Sequence, residues 1–471
     1  MNAAQGEHGH EEPRGTKGAD TISRRGFLNA GAVLGVGGVT VGLPGAGTGL
    51  RPATAPLSGG GHATSTPTAL ARAADAAWLE ELAELAAAVG AGEPVCFIDL
   101  DRLDANLAVL QDAASDNGWW VRPSLKSLQS PGSIAYVLDA LPEPRGMVFH
   151  LRHVHPILEL APEGTDLLTG YVPTIGELAA YLAAPPQSVQ HRVRITVDSI
   201  PLLDETIAAV RDSPRSEPLE LCLELDAGSG RGGFTDVDEV VVAGRRIVEA
   251  RDAVELTALL CYDGHATLSP ATALRRTIAA DARRRLARLH DALVDTAGAA
   301  LERLEVNGPG SSNYLQWSSD EHLTEISPGS ALLYAGYLRA GFDDAALQLA
   351  CVLSAPVLRV VGPHPRVPLT ALELPGANRQ QLMLKGGGWP AGGGRQPDLL
   401  WPPGLEDNEL YGGRGNNTGT ITAPAGALDL GDHILLWPHQ VGDAIDYFGA
   451  VTAVRGGQVI ERWSTFPRWG S

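Results

Sequence analysis

Lysine is scarce in this chain. Lysine and arginine together number 36, yet the lysines are only Lys17, Lys126 and Lys385. A coding bias towards arginine explains the rest, because the two serve equally where only charge matters. Arginine stays protonated and cannot form an imine, whereas a lysine that loses its proton attacks carbonyl carbons. A lysine that survives such a bias therefore points to amine chemistry. Lys126 lies in VRPSLKS, where strand parity puts Arg122, Ser124 and Lys126 on one face and Val121, Pro123 and Leu125 on the other. Polar side chains turned inward at a strand end are unusual for packing alone. A neighbouring guanidinium would lower the amine's pKa towards a reactive range. The competing reading is a solvated lysine in a loop.

Three further segments carry polar groups to strand ends. LELCLELD sets Glu220, Cys222, Glu224 and Asp226 on one face, then runs into AGSGRGGF with Arg231. This turn reads as a phosphate cradle or as a simple glycine turn. CYDGHAT delivers Tyr262, Asp263 and His265. VNGPGSSNY offers backbone N–H groups and hydroxyls at Gly308, Gly310, Ser311 and Ser312, a nest suited to a phosphate dianion or an ordinary turn. His150, His153 and His155 in HLRHVHPILEL form a conceivable metal patch, but locally bonded or solvated imidazoles are the plainer reading.

The elements that must position these groups alternate between strand and helix. Buried-strand patterns occur at 94–100, 119–125, 146–151, 166–172, 192–197, 219–225, 256–262 and 301–306, with helical spacing between most of them. Eight such units predict an α/β fold with a (β/α)8 TIM-type barrel over residues 74–340. A doubly wound open sheet is the alternative, but no G-x-G-x-x-G follows the first strand. After Gly341 the pattern changes to short β-rich pieces with Gly/Pro-rich spacers, which predicts a smaller all-β domain over 341–471. A net charge of -19 argues against nucleic acid as a partner. Cys96, Cys222, Cys261 and Cys351 stand far apart in apolar runs and read as buried free thiols.

These motifs, in this order, resemble the D-serine dehydratase-like and D-threonine aldolase family of pyridoxal-phosphate (PLP) enzymes, which share the alanine racemase-type barrel. The resemblance runs from about Pro94 to the C-terminus. It implies that Lys126 holds PLP as a Schiff base, that Arg231 and Tyr262 lie beside the cofactor, and that Gly308, Gly310, Ser311 and Ser312 form its phosphate loop. His265 and His439 are the implied catalytic histidines. FIDLDRLDANL resembles the family's opening strand and helix, and EISPGSALLYAGY its junction with the β domain. There are three departures. Ser124 stands where the family often has histidine, and Ser327 where it often has arginine. In WPHQVGDAIDYF, His439 is kept, but Val441 fills the second position of the family's divalent-metal (zinc or manganese) motif, leaving Asp443 or Asp446 as substitutes. The resemblance implies a lyase (dehydratase or aldolase) for a small D-β-hydroxy amino acid, working as a homodimer. An amino-acid racemase or epimerase and a non-catalytic PLP-binding protein are the alternatives.

The first 73 residues read as an address. ISRRGFLN at 22–29 and the Gly-rich apolar run to Leu43 resemble a twin-arginine signal. The glycines and Pro44 make a poor membrane anchor, which is the other reading. Cleavage at Ala71-Arg72-Ala73 or at ATAPL upstream, and a Pro/Gly/Ser/Thr-rich disordered linker over 51–70, are expected. The expected partner is the Tat export machinery, which carries folded proteins, and the expected location periplasmic or extracellular. Changing Arg24 and Arg25 together to lysine should retain the protein inside the cell, as cell fractionation would register; unaltered export of that variant contradicts the reading.

Overall fold

Strand residues alternate between two faces, and here that alternation fills a barrel. The computed structural model describes residues 73–184, 191–269, 271–297, 304–318, 320–340, 346–361, 379–387, 389, 397–405 and 418–467. The signal, the linker and the RVPLTALEL stretch at 366–374 lie outside them. No helix among the described residues is long and apolar enough to cross a membrane.

The strands are β1 (Val95–Asp99), β2 (Trp120–Val121), β3 (Arg145–Val148), β4 (Asp166–Thr169), β5 (Arg192–Val197), β6 (Leu219–Glu224), β7 (Val254–Leu260), β8 (Glu305–Asn307) and β9 (Glu325–Ile326). After them come β10 (Cys351–Val361), β11 (Arg379–Lys385), β12 (Asp398–Trp401), β13 (Thr418–Pro424), β14 (His433–Trp437), β15 (Ala450–Arg455) and β16 (Gln458–Ser464). Eight of them, β2 to β9, form a parallel sheet in the order β2-β9-β8-β7-β6-β5-β4-β3. A bridge between Ser124 and Met147 joins its two ends, with the Met147 N–H donating to the Pro123 carbonyl at 2.8 Å.

Helix α1 (Ala73–Gly90) precedes β1, and α2 (Leu100–Ser115), α3 (Pro131–Asp139), α4 (Val154–Leu158), α5 (Ile175–Ala183), α6 (Ile200–Asp212), α7 (Val237–Glu249) and α8 (Thr272–Ala297) lie between later strands. Short helices α9 (Ser330–Leu333) and α10 (Val441–Ile445) complete the set. Their starts are set locally. The Asp99 carboxylate accepts from the Arg102 N–H, Asp236 caps α7, and Thr174 with Glu177 forms a capping box on α5. In α6 the buried residues Leu203, Thr206, Ile207 and Val210 follow helical spacing and form the face turned to the barrel.

Parity along each strand builds three layers inside the barrel. The floor is ionic: Arg122 pairs with Glu325 at 2.7 Å, Asp166 at 3.0 Å and Glu305 at 3.3 Å. Arg194 pairs with Asp166 at 2.9 Å and also contacts Glu305 and Glu220. Two residues further along their strands come Met147, Leu168 and Cys222, which pack with Ala258 and Leu260 as an apolar middle layer. Two further again are Phe149, Gly170, Glu224 and Tyr262, at the C-terminal mouth. Burial disfavours charge on Arg122, but Glu325 and Asp166 outweigh it and hold the guanidinium protonated. Asp166 is likewise held ionised against its burial by Arg122 and Arg194.

The second sheet runs β12-β14-β10-β1-β15-β16, with β11 pairing β10 and β13 pairing β11. Here the strand assignment differs from the sequence reading. The 94–100 run was expected as the first barrel strand, yet β1 pairs antiparallel with β10 and parallel with β15. Every residue of β1 is buried, and an apolar run buried on both faces looks the same in either sheet. The eighth barrel strand is instead β9, in the segment read as the junction. With two residues it is too short to show a period. The all-β layer thus takes chain from both sides of the barrel. The four cysteines are buried and free, as expected.

Removing Arg122 leaves the Glu325 carboxylate buried without its main partner. Arg122→Met should therefore destabilise the fold by about 3–5 kcal/mol, read from denaturant unfolding. Adding Glu325→Gln should restore part of the loss; a double variant less stable than the single would show that the pair is not coupled in this way.

Candidate active site

A cavity of about 350 Å³ opens at the C-terminal mouth of the barrel, where barrel enzymes place their chemistry. Pro123 cannot extend a ladder, and after Ser124 the chain turns into a 3-10 segment, Leu125–Ser127. Strand parity therefore holds for Arg122 and Ser124 but stops before Lys126. Arg122 serves the floor, not the amine. Lys126 lines the cavity, its Nζ 4.5 Å from the centre of the Phe149 ring. The side chain is open to the cavity but crowded by its walls. That crowding, followed by the charge of Arg231, lowers its pKa, while Asp443 pulls the other way. Helix α10 packs on this turn so closely that a Cβ on Gly442 would lie 2.3 Å from the Lys126 carbonyl oxygen.

Arg231 arrives on the glycine-rich turn after β6. The Asp226 carboxylate accepts the N–H groups of Gly228, Ser229 and Gly230 at 2.9–3.2 Å. Those donors are committed within the turn, so this is a mount for Arg231 and not a phosphate cradle. Arg231 pairs with Glu224 at 2.6 Å and lies over the rings of Tyr171 (5.0 Å) and Tyr262 (4.8 Å). Burial pushes the Tyr262 phenol's pKa up, with Tyr337 and Asp263 adding to the effect. Tyr262 is thus a neutral hydrogen-bonding group at neutral pH.

The expected phosphate loop divides. Gly310 and Ser311 line the cavity, facing Gly329, Ser330 and Tyr337. The Ser311 hydroxyl accepts from the N–H groups of Gly329 and Ala331, both at 3.0 Å. A Cβ on Gly329 would meet Ser124 Cβ at 2.7 Å, and one on Gly310 would meet Tyr262 Cε2 at 3.0 Å. Gly308 and Ser312 are set back from the cavity. Gly308 accommodates Leu323, whose Cδ1 would lie 2.4 Å from an added Cβ, and the Ser312 carbonyl accepts from Arg275 at 2.9 Å. Ser327 takes its hydrogen bonds from and to Asn307.

His439 reaches the cavity from the segment after β14, its ring 6.0 Å from that of Tyr337. His265 does not line the cavity. It sits beside the buried Asp263 carboxylate, and its Nδ1 is buried without a hydrogen-bond partner. Val441 is buried in the core, while Asp443 is exposed on α10. Val441, at the second ligand position, cannot hold a metal, and among the described residues no group of three metal-ligating side chains includes His439. His150, His153 and His155 do not converge as a trio either; His153 stacks on Phe466 at 3.8 Å, and burial, then His150 and Arg152, push its pKa down to about 3.

Phe149, Tyr171, Ser330 and Tyr337 were not found from sequence. Extending parity two residues beyond Met147 would have found Phe149. Tyr171 follows the inward Gly170, and Tyr337 lies in a single 3-10 turn, Gly336–Ala340, so no periodicity marks them.

A parallel eight-stranded barrel with a lysine at its mouth and a β sheet closing over it defines the alanine racemase-type fold. Residues 98–336 match the alanine racemase N-terminal domain, and the chain belongs to that family. D-threonine aldolase from Filomicrobium marinum superposes with a TM-score of 0.65 at 22% identity, over 79% of this chain and 94% of its own. D-threo-3-hydroxyaspartate dehydratase from Delftia sp. HT23 gives 0.65 at 19%, over 80% and 98%. Alanine racemase from Bacillus anthracis gives 0.61 at 13%, over 79% and 97%. At these identities the likeness establishes the fold. No curated protein matches the chain in sequence.

A lowered pKa means that the neutral amine of Lys126 is present at lower pH than for an ordinary lysine. The rate at which apoprotein takes up PLP should rise with pH to a midpoint below 10.5. Arg231→Gln should move that midpoint up, and Asp443→Asn should move it down. Identical midpoints in all three proteins contradict the electrostatics described.

Proposed function

We propose that the chain is a PLP-dependent lyase acting on a D-β-hydroxy amino acid, with Lys126 holding the cofactor. The observation that carries this reading is the placement of a lysine of lowered pKa across one cavity from a cradle of glycines and hydroxyls. The tight approaches at Gly310 and Gly329 fit a phosphate bound close to the backbone, because a Cβ at either position would crowd its neighbours. Ser311, Ser330 and Tyr337 would hold the phosphate with their hydroxyls. Arg231, fixed by Glu224, would lie beside the ring. When bound, PLP supplies an electron sink for the substrate's α-carbon.

The chain's own groups account for the remaining roles. Lys126, as a neutral amine, takes or returns a proton at the α-carbon. His439 is the titratable group placed to exchange a proton with the substrate's β-hydroxyl. Tyr262 stays protonated and donates a hydrogen bond. Phe149 lies 4.5 Å from the amine and meets Tyr171 edge to face at 5.3 Å. No step is drawn through a metal, since Val441 is committed to the core. The lyase reading draws support from the names of the aldolase and the dehydratase, which superpose slightly better than the racemase. The same buried Val441 favours a second reading, a racemase in which His439 serves as a second base at the α-carbon. Export through Arg24 and Arg25 and assembly as a homodimer belong to the proposal.

Holoenzyme given D-serine, D-threonine, D-alanine and L-alanine in deuterated water separates the two readings. The lyase releases ammonia or an aldehyde from a hydroxy amino acid, and His439→Gln lowers kcat by about 10²–10⁴-fold. Exchange of the alanine α-hydrogen with neither product would overturn the lyase in favour of the racemase.

A further inference from the structure

At the opposite end of the barrel from Lys126, three side chains meet that none of the chemistry above uses. His290 and Asp291 are consecutive residues of α8, and His322 lies on the segment that leads into β9. His290 Nδ1 is 3.3 Å and His322 Nε2 3.6 Å from the same oxygen, Asp291 Oδ1. The three ligand atoms lie within 4.8 Å of one another. Around zinc, with nitrogen and oxygen ligands at about 2.0–2.2 Å, the edges of a tetrahedron are about 3.3–3.6 Å. Both histidine–carboxylate separations fall on that edge length. The imidazole rings cross at 71° with centres 5.0 Å apart, so they converge on the carboxylate and do not stack face to face.

We propose that His290, Asp291 and His322 form a zinc site that fastens α8 to the segment leading into the last barrel strand. Two imidazoles with one carboxylate favour zinc or a similar transition metal over calcium or magnesium, which take oxygen ligands. A second carboxylate stands behind the ligand set. The other ring nitrogen of His322 faces Asp320 Oδ1 at 4.0 Å, and that oxygen is itself fixed by the N–H groups of His322 and Leu323 at 3.0 and 3.1 Å. At 4.0 Å the His322–Asp320 approach is a charge–charge contact and not a hydrogen bond, and it favours the imidazole carrying positive charge or a metal on its far side. The imidazoles are largely covered (18% exposed each) while Asp291 is 66% exposed, which leaves a position for water as fourth ligand. Three residues after His322 comes Glu325, the partner of Arg122, so a clamp here secures the strand that completes the ionic floor. A site at this face of a barrel serves stability and not turnover.

The test is a zinc titration of metal-stripped holoenzyme carrying His439→Ala, which removes binding at the cavity. One zinc per chain should bind, and added zinc chloride, but not magnesium chloride, should raise the unfolding temperature by several degrees. His322→Gln should abolish both effects. Asp291→Asn, at an exposed position that does not threaten folding, should weaken zinc by about 100-fold or more. Unchanged zinc affinity in Asp291→Asn, or no saturable zinc binding in the His439→Ala protein, overturns the proposal.

Discussion

Arg122 is a full charge without access to water, and its position constrains everything above it. Its guanidinium reaches Asp166 on β4, Glu305 on β8 and Glu325 on β9, and it also donates to the Asp166 carbonyl at 2.8 Å. The strand that carries it has only two ladder residues, paired with Glu325 and Ile326 on one side and continued to β3 through the single Ser124–Met147 bridge. A seam so short needs side-chain bonds that cross the barrel. Buried ion pairs contribute little net stability over a well-packed apolar floor, but losing one partner is expensive. The arrangement therefore fixes register strongly. Lys126 inherits that register four residues later.

The amine is also held from above. Helix α10 presses on the Lys126 carbonyl through Gly442. On the other side of the same turn the Phe466 N–H donates to the Gln129 carbonyl at 3.0 Å, and Ser130 donates to the Ser464 carbonyl at 2.9 Å. The all-β layer thus grips both flanks of the lysine turn. It also sets the far wall, because the Gly336 and Tyr337 N–H groups donate to the Pro438 and His439 carbonyls at 3.0 and 3.2 Å. Barrel and sheet are each incomplete as a site. Together they place an amine, a neutral phenol and an imidazole around one cavity, and the crowding of its walls, with Arg231, lowers the lysine's pKa.

Much of this was legible in the residues, for identifiable reasons. Lysine scarcity singled out Lys126 because only a primary amine does what arginine cannot. Period-two alternation in LELCLEL gave the inward face of β6 correctly, with Glu220 in the floor, Cys222 in the middle and Glu224 at the mouth. The same alternation failed at Lys126, where Pro123 ends the strand. It could not tell β1 from a barrel strand, since full burial erases the difference between sheets. His265 was misplaced because a histidine near a strand end can turn either towards the mouth or, as here, behind it towards a buried carboxylate. Gly308 and Ser312 share a motif with Gly310 and Ser311, but the loop spends the outer pair on packing against Leu323 and on bonding Arg275. Tyr337 and the His290–Asp291–His322 group depend on distant segments meeting, which no local pattern records.

The claim on which the rest turns is that Lys126 is the residue that holds the cofactor. Holoprotein reduced with borohydride and digested should carry the phosphopyridoxyl group on the peptide that contains Lys126, and Lys126→Ala supplied with PLP should carry none. Recovery of the label on Lys385, or an unlabelled wild-type chain after saturation with PLP, would contradict the account.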